Sequence, residues 1–396
     1  MIEIAKALKI IQRETPQLGT ERIALADSVG RVLTEKIVAD SDLPPFDRSQ
    51  MDGYAVVASD TANAPVDLNI VGESAAGHGW HKTLKRGQAV RIMTGAPVPK
   101  GADAVQRVEL TSGWEGDTVT INEPVEMGMS VVKEGAEVKK GRVIFRPGVR
   151  ITDNMISTIA SFGYARLKVG RLPSVSIMAT GSEIVPLEKK PGRDQIRNSN
   201  SVTLDVLCRR LKCATDVLPR SPDDLQELKS QISKLRSQIL VITGGVSAGK
   251  YDLTKLALQE LGAEIFFEKV RLKPGKPAVF ARLGKMLVFG LPGNPVSAAV
   301  TFELFVRKAI LLMQGASCTD LRGGHALVTA SVRAPRDRDA YTPSALSSDT
   351  KGRLIARPLK SQGSSDFIGF SRADSLITVK RGTNLAAGDV ARILFL

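Results

Sequence analysis

Between residues 173 and 314 one pattern occurs three times: a continuous apolar run, a glycine-containing loop, then helical periodicity. Val175–Ala179 leads into Thr180-Gly-Ser-Glu183, and Ile239–Ile242 leads into Thr243-Gly-Gly-Val-Ser-Ala-Gly249. Met286–Phe289 leads into Gly290-Leu-Pro-Gly-Asn-Pro295, followed by a helix expected over Val296–Met313. Apolar runs without alternation have no solvated face, and strands separated by helices are brought back parallel. Sheets of this kind bind ligands beyond the carboxyl ends of their strands. The three loops are therefore predicted to converge on one crevice.

The flanking segments have other textures. Residues 1–40 read as helical, with Ile4, Leu8 and Ile11 on one face. From Asp42 to about Val132 short alternating runs are punctuated by Gly and Pro, among them Gly53–Val57, Val66–Val71, Ala89–Met93 and Thr118–Ile121, which predicts a β-rich module. Residues 137–170 return to mixed helical character, with a helix over Asp153–Ser161 opened by Thr152. Beyond 319, the runs Ala326–Val332, Arg353–Leu359, Leu376–Lys380 and Val390–Leu396 argue a small β-barrel or sandwich. The expected architecture is an α/β multidomain chain. A discontinuous elongated domain (1–40 plus 137–170) is interrupted by a β-rich insert (41–136), followed by the parallel α/β domain (171–318) and a C-terminal β-barrel (319–396).

Composition excludes several classes. Three cysteines in 396 residues, Cys208, Cys213 and Cys318, cannot form a disulfide framework, and they read as bystander thiols. His78 and His81 form an H-x-x-H pair, but with only His325 besides they do not make a zinc site. No apolar run reaches the roughly 18–20 residues of a membrane helix; Phe302–Met313 is broken by Arg307 and Lys308. The first fifteen residues carry Glu3, Lys6 and Lys9 and lack a signal-peptide core, so a cytoplasmic protein away from membranes is expected. The formal charge of +14 suggests an anionic partner or a general solubility field. Aromatics at 5% supply few stacking platforms for single strands, and no nucleic-acid partner is expected.

The chemistry-bearing residues lie in loops. Gly244-Gly-Val-Ser-Ala-Gly-Lys250 fits G-x-x-x-x-G-K after a strand, but Tyr251 stands where a P-loop needs Ser or Thr for magnesium. The loop is read instead as backbone amides approaching an anion. Asp252 beyond it either holds a metal or hydroxyl near that anion or caps the following helix. Lys269-Val-Arg-Leu-Lys273-Pro-Gly-Lys276-Pro is a proline-stiffened group of cations, an anion clamp or a solvated basic loop. Glu183 faces the crevice by the strand-end argument, and Leu291-Pro-Gly-Asn-Pro295 is a rigid turn at a helix N-terminus that favours phosphate. Phe46-Asp-Arg-Ser-Gln-Met-Asp52-Gly brings two carboxylates around a loop entering a strand, and Arg91-Ile-Met-Thr94-Gly-Ala-Pro-Val-Pro99 adds a hydroxyl. Carboxylates for a hard cation and cations plus amides for oxyanions suit phosphoanhydride chemistry.

Seven ordered segments resemble those of the molybdopterin molybdenumtransferases, the MoeA family that includes the gephyrin E domain. They are Pro45-Phe-Asp-Arg-Ser-Gln-Met-Asp-Gly-Tyr-Ala-Val56, Arg91–Val105, Thr180-Gly-Ser-Glu183, Asn198-Ser-Asn200, Gly244–Asp252, Lys273-Pro-Gly-Lys-Pro277 and Gly290-Leu-Pro-Gly-Asn-Pro-Val-Ser297. The resemblance implies a four-domain homodimer with a MogA-like α/β domain. It implies insertion of molybdate into adenylylated molybdopterin, with magnesium-dependent release of AMP and molybdenum cofactor. Asp52, Thr94, Glu183 and Asp252 match catalytic positions, with Asp52, Glu183 and Asp252 as the expected magnesium ligands. Lys269, Lys273 and Lys276 match basic substrate positions. Gly244, Gly245, Ser247, Gly249, Pro292, Asn294, Pro295 and Glu137 complete the expected substrate wall. Implied partners are a second copy of the chain, an adenylyltransferase that delivers the pterin, and molybdoenzymes that accept the cofactor. Three departures stand out: Val132 occupies a usually basic position and Glu137 an aspartate position, and Gln50 replaces the commoner alanine. A non-catalytic scaffold, possible on this fold, is disfavoured because a scaffold need not keep these acids and lysines.

Overall fold

The computed structural model describes residues 1–220, 224–245, 253–359, 363 and 365–396. The chain forms two compact units. One comprises Met1–Glu35, Pro147–Ile156 and Ala165–Leu396, and the other Lys36–Arg146 and Ser157–Tyr164.

The second unit is built on a five-stranded sheet in the order Ala104–Arg107, Gly53–Val56, Gln88–Ile92, Val66–Ser74, Thr118–Ile121. Its alternation serves two cores. Tyr54 and Val56 point into one cluster with Leu68, Ala89, Val119 and Ile121, while Ala55 joins Leu84, Val90, Ile92 and Val105 on the other face. The strand Gly53–Val56 is accordingly buried throughout. It begins with a glycine because a Cβ at Gly53 would stand 2.0 Å from the Gln106 carbonyl oxygen on the neighbouring strand. No side chain fits there.

In the first unit the N-terminal helix covers only Ile4–Glu14 and buries Ile4, Ala7 and Ile11. The helical reading of 1–40 fails beyond Glu14. Pro16 disfavours helical geometry at Thr15, which is extended (φ −89°, ψ 111°). Thr20–Ala24 then pairs antiparallel with Arg166–Gly170, far along the chain, with Thr20 opposite Gly170 and Ala24 opposite Arg166. The expected helix after Thr152 is present as a 3-10 turn, Asp153–Met155, continuing into Ile156–Ser161.

The central sheet has six strands in the order Thr215–Val217, Val175–Ala179, Ile239–Thr243, Met286–Leu291, Pro277–Leu283, Glu264–Lys269. The first four run parallel, and the last two form an antiparallel edge. Val175–Ala179, Ile239–Thr243 and Met286–Leu291 are buried along their whole length, as continuous apolar runs require. Ile177, Val241 and Phe289 face one core with Leu204 and Cys208 of the helix Ser199–Arg210; Met178, Ile242 and Val288 face another with Leu228 and Ile232 of Leu225–Lys234.

After the last parallel strand the expected helix is present with an interruption. Pro295–Thr301 is α-helical, Phe302–Val306 is a π segment, and Arg307–Met313 is α-helical again. The sequence conceals this because nearly every position is buried, so no polar face marks the turn. Even Lys308 is inside, its ammonium bonded to Thr319 Oγ1 at 2.7 Å and to Asp320 at 3.2 Å.

The C-terminal strands Gly323–Val328, Asp339–Ser348, Leu354–Pro358, Ser375–Val379 and Val390–Phe395 close on one another as a five-stranded barrel. Its core uses small residues, Ala326, Ala340, Ala356 and Ala391, beside Ile377 and Ile393, which suits a narrow barrel. A short strand, Leu272–Lys273, adds to it by pairing parallel with Asp339 and Ala340. Among the described residues no helix is long and apolar enough to cross a membrane.

Cys208 and Cys213 are buried while Cys318 is exposed. Desolvation pushes the Cys208 thiol up and that of Cys213 up to about 12, which removes the reactive thiolate at neutral pH. Native protein at pH 8 is expected to react with a chromogenic disulfide reagent at one thiol, Cys318, and at all three only after denaturation. Absorbance of the released thiolate counts them.

Candidate functional site

The level ends of the parallel strands create the main concavity. Ala179 pairs with Thr243, and Thr243 with Leu291, so the three loops leave the sheet side by side. Backbone bonds from Thr180 N to Thr243 O (3.0 Å) and Gly244 N to Leu291 O (3.3 Å) carry the ladder one step into the loops. Asn200 ties two of the loops together: its amide donates to Thr243 Oγ1 at 2.9 Å and to the Gly293 carbonyl at 2.7 Å. Asn198 caps that helix by accepting from Ser201 N at 3.1 Å. The resulting cavity is about 1080 Å³, with Thr180, Gly181 and Glu183 from the first loop and Thr243, Gly244 and Gly245 from the second. Pro292, Gly293, Asn294 and Pro295 come from the third, and Asn198 and Ser199 from the helix start. The convergence predicted from the strand pattern is therefore present.

Glu183 brings the carboxylate of this pocket. Its side chain folds back so far over the loop that a Cβ at Gly181 would stand 2.4 Å from Oε2, and Gly181 has φ +134°. The positive φ is what favours glycine there, since the flexible end of Glu183 could move aside. Thr180 is 7% exposed and lines the pocket, yet its hydroxyl has no hydrogen-bond partner among the described residues. Buried hydroxyls are costly to leave unmatched, so this one is a group awaiting a ligand or water. Ser247, Gly249 and Asp252 lie outside the described residues.

Lys269, Lys273 and Lys276 flank the antiparallel edge of the same unit. Lys269 ends its strand opposite Pro277, and Lys273 is held by the short strand on the barrel. None of the three is part of the pocket lining, although Pro277, next to Lys276, is. Their ammonium groups have no hydrogen-bond or ion-pair partner among the described residues. Lys273 and Lys276 are exposed and Lys269 is half-buried, and cations without a fixed partner remain available to an anion.

Asp52, Thr94 and Glu137 belong to the second unit. Asp52 Oδ1 accepts from the Thr94 backbone N–H at 2.6 Å and from Thr94 Oγ1 at 2.8 Å. These two bonds, the backbone one first, hold its carboxyl below the usual range. Glu137 instead faces Arg48 at 3.4 Å. Lys133, from the same segment, bonds Asp47 at 2.7 Å. Among the described residues no three His, Cys, Asp or Glu side chains form a metal-binding group.

Three family models cover nearly the whole chain in order. A MoeA N-terminal region (domains I and II) matches residues 2–163, a molybdopterin binding domain of molybdenum-cofactor biosynthesis matches 176–311, and a MoeA C-terminal region (domain IV) matches 325–396. A molybdopterin molybdenumtransferase of Bacillus subtilis is 35% identical over 395 residues, covering 96% of this chain and 91% of its own. The chain belongs to the molybdopterin molybdenumtransferase family. A Haemophilus influenzae molybdopterin molybdenumtransferase is 33% identical and covers 94% of this chain and 93% of its own. The crystal structure of the molybdopterin biosynthesis MoeA protein from Pyrococcus horikoshii superimposes with a TM-score of 0.84 at 28% identity, covering 100% of both chains. As a member of this transferase family, the chain acts in molybdenum cofactor biosynthesis. The family resemblance read from the seven segments is thus borne out, and so are the MogA-like domain and the C-terminal barrel.

Reasoning from the sequence passed over three residues of this family member. Asn200 was visible only as part of a segment, and its bridging of two loops depends on tertiary placement. Thr180 gave a signal, a hydroxyl at a strand end, but its lack of a partner needs coordinates. Gly53 stood beside Asp52, and its necessity comes from a strand more than fifty residues away.

Replacing Thr94 with Val removes the hydroxyl bond to Asp52 and keeps the backbone one. The Asp52 pKa is expected to rise toward its ordinary value, observable by carboxyl carbon NMR titration of wild type and variant. Because the wild-type shift is downward, its stabilising contribution is present at neutral pH and is lost as pH falls through the folded-state value. An unchanged titration midpoint would contradict this account.

Proposed function

We propose that this chain inserts molybdate into adenylylated molybdopterin, cleaving the phosphoanhydride and releasing AMP and molybdenum cofactor. The observation that carries this reading is the pocket at the strand ends. It combines a carboxylate, an unmatched hydroxyl and glycine loops in a volume of about 1080 Å³. Pockets of small ligands run to about 1,000 Å³, so a pterin nucleotide is of suitable size. Parallel α/β sheets present such ligands at this end.

In this reading the glycine loops offer N–H groups to the phosphates, and Thr180 donates its hydroxyl to a phosphate oxygen. Glu183 orients the attacking water. Magnesium takes oxygen donors, usually one or two carboxylates together with substrate phosphates. Glu183, Asp52 and Asp252 are the groups proposed to hold it, and all three supply oxygen. Bound magnesium supplies charge screening of the pyrophosphate. Lys269, Lys273 and Lys276 neutralise molybdate or phosphate as point charges. Asp52, kept ionised by Thr94, serves as an anion at neutral pH. The working form is proposed to be a cytoplasmic homodimer that receives its pterin from an adenylyltransferase and passes its product to molybdoenzymes.

The deciding assay follows AMP release from adenylylated molybdopterin with and without molybdate. Molybdate-dependent release is expected from the wild type, and Asp52→Ala, Glu183→Ala and Asp252→Ala are expected to lose it while keeping their circular dichroism spectra. Near-normal turnover in all three would sink the role given to the carboxylates. Lys273→Ala and Lys276→Ala should each weaken molybdate or nucleotide binding by about 1–3 kcal/mol. Calorimetric titration measures this, and unchanged affinity in both would return the segment to a solvated basic loop.

A further inference from the structure

The first unit holds a second concavity of about 540 Å³ whose charged lining is Arg150, Arg210, Glu303, Arg307 and Arg322. No residue of the substrate pocket contributes to it. Glu303, in the π segment, is 4% exposed, and Arg307 is half-buried; Arg150, Arg210 and Arg322 are exposed. Glu303 Oε1 accepts from Arg210, and Arg307 Nε stands 3.8 Å from Oε2, which has no hydrogen bond among the described residues. Arg150 spends only Nε, on the Gly30 carbonyl at 3.1 Å. Arg322 has no side-chain hydrogen bond or ion pair among the described residues.

Four guanidiniums thus share one pocket with a single buried carboxylate, which pairs with Arg210 and Arg307. Positive side-chain charge in this lining exceeds negative. The arginines feel one another: Arg150 is held below the ordinary arginine range by desolvation, then by Arg210 and Arg322. Crowded, partly desolvated like charges raise the energy of the fold, and an anion placed among them lowers it. Guanidinium forks match tetrahedral oxyanions better than ammonium groups do. Leu211, Leu321 and Phe395 add apolar wall beside the charges, which a bare inorganic ion would leave wet.

We infer that this pocket binds a phosphomonoester carrying an aromatic or other apolar body, with Arg150 and Arg322 on the phosphate and Phe395 and Leu321 against the body. Phenyl phosphate is a suitable probe because it carries no pterin or adenine to draw it into the substrate pocket. In calorimetric titrations of the full chain it is expected to bind at least tenfold tighter than inorganic phosphate or molybdate. Arg322→Gln should weaken it at least tenfold, and Arg150→Gln with Arg322→Gln should abolish it. The double variant Lys273→Ala, Lys276→Ala should bind it as the wild type does. Arg322 holds no other side chain in place among the described residues, so Arg322→Gln tests the site without disturbing the fold, and its unliganded melting midpoint should be no lower than that of wild type, since it relieves repulsion with Arg150. Absence of binding by the wild type, binding that survives both arginine substitutions, loss of binding in the lysine variant, or molybdate binding as tightly as phenyl phosphate would each overturn the inference.

Discussion

The strand register that sets Ala179, Thr243 and Leu291 side by side is the constraint on which the pocket depends. A slip by one residue would turn Ile177, Val241 and Phe289 out of one core and into the other, where helices of different shape are packed. The apolar pattern therefore decides where each loop begins. Backbone bonds from Thr180 and Gly244 extend the ladder, and Asn200 fastens the second loop to the third. The geometry of the pocket is a by-product of core packing.

Glu183 and the glycine loops were legible because parallel strands leave a strong local signature and their topology dictates where the ends meet. The N-terminal segment was not. Helical periodicity over Ile4–Glu14 is genuine, but Thr20–Ala24 is a strand only because Arg166–Gly170 is available to pair with it, and no local signal announces that partner. The π segment was hidden for the opposite reason: a helix buried on all sides has no polar stripe whose drift would betray an extra residue. Glu303 and Lys308 are both inside, and each is bonded by a residue of another element.

In the second unit the same contrast holds on a smaller scale. Asp52 and Thr94 were each singled out, in different loops, as an acid and a hydroxyl. Their contact, two hydrogen bonds to one carboxylate oxygen, arises because Gly53–Val56 and Gln88–Ile92 are adjacent strands whose loops start together. Glu137 was expected on the substrate wall, and its observed partner is Arg48. Chemical type was readable one residue at a time; pairing was a property of the sheet.

The strand Leu272–Lys273 has a mechanical meaning. It is bonded in parallel register to Asp339 and Ala340 of the barrel, while Lys269 and Pro277 on either side belong to the edge of the central sheet. The lysine segment is thus a strap anchored at both ends, stitched to the barrel at its middle. A swing of the barrel would tug on the Lys273 backbone directly, so the root of that lysine side chain moves with the seating of the barrel.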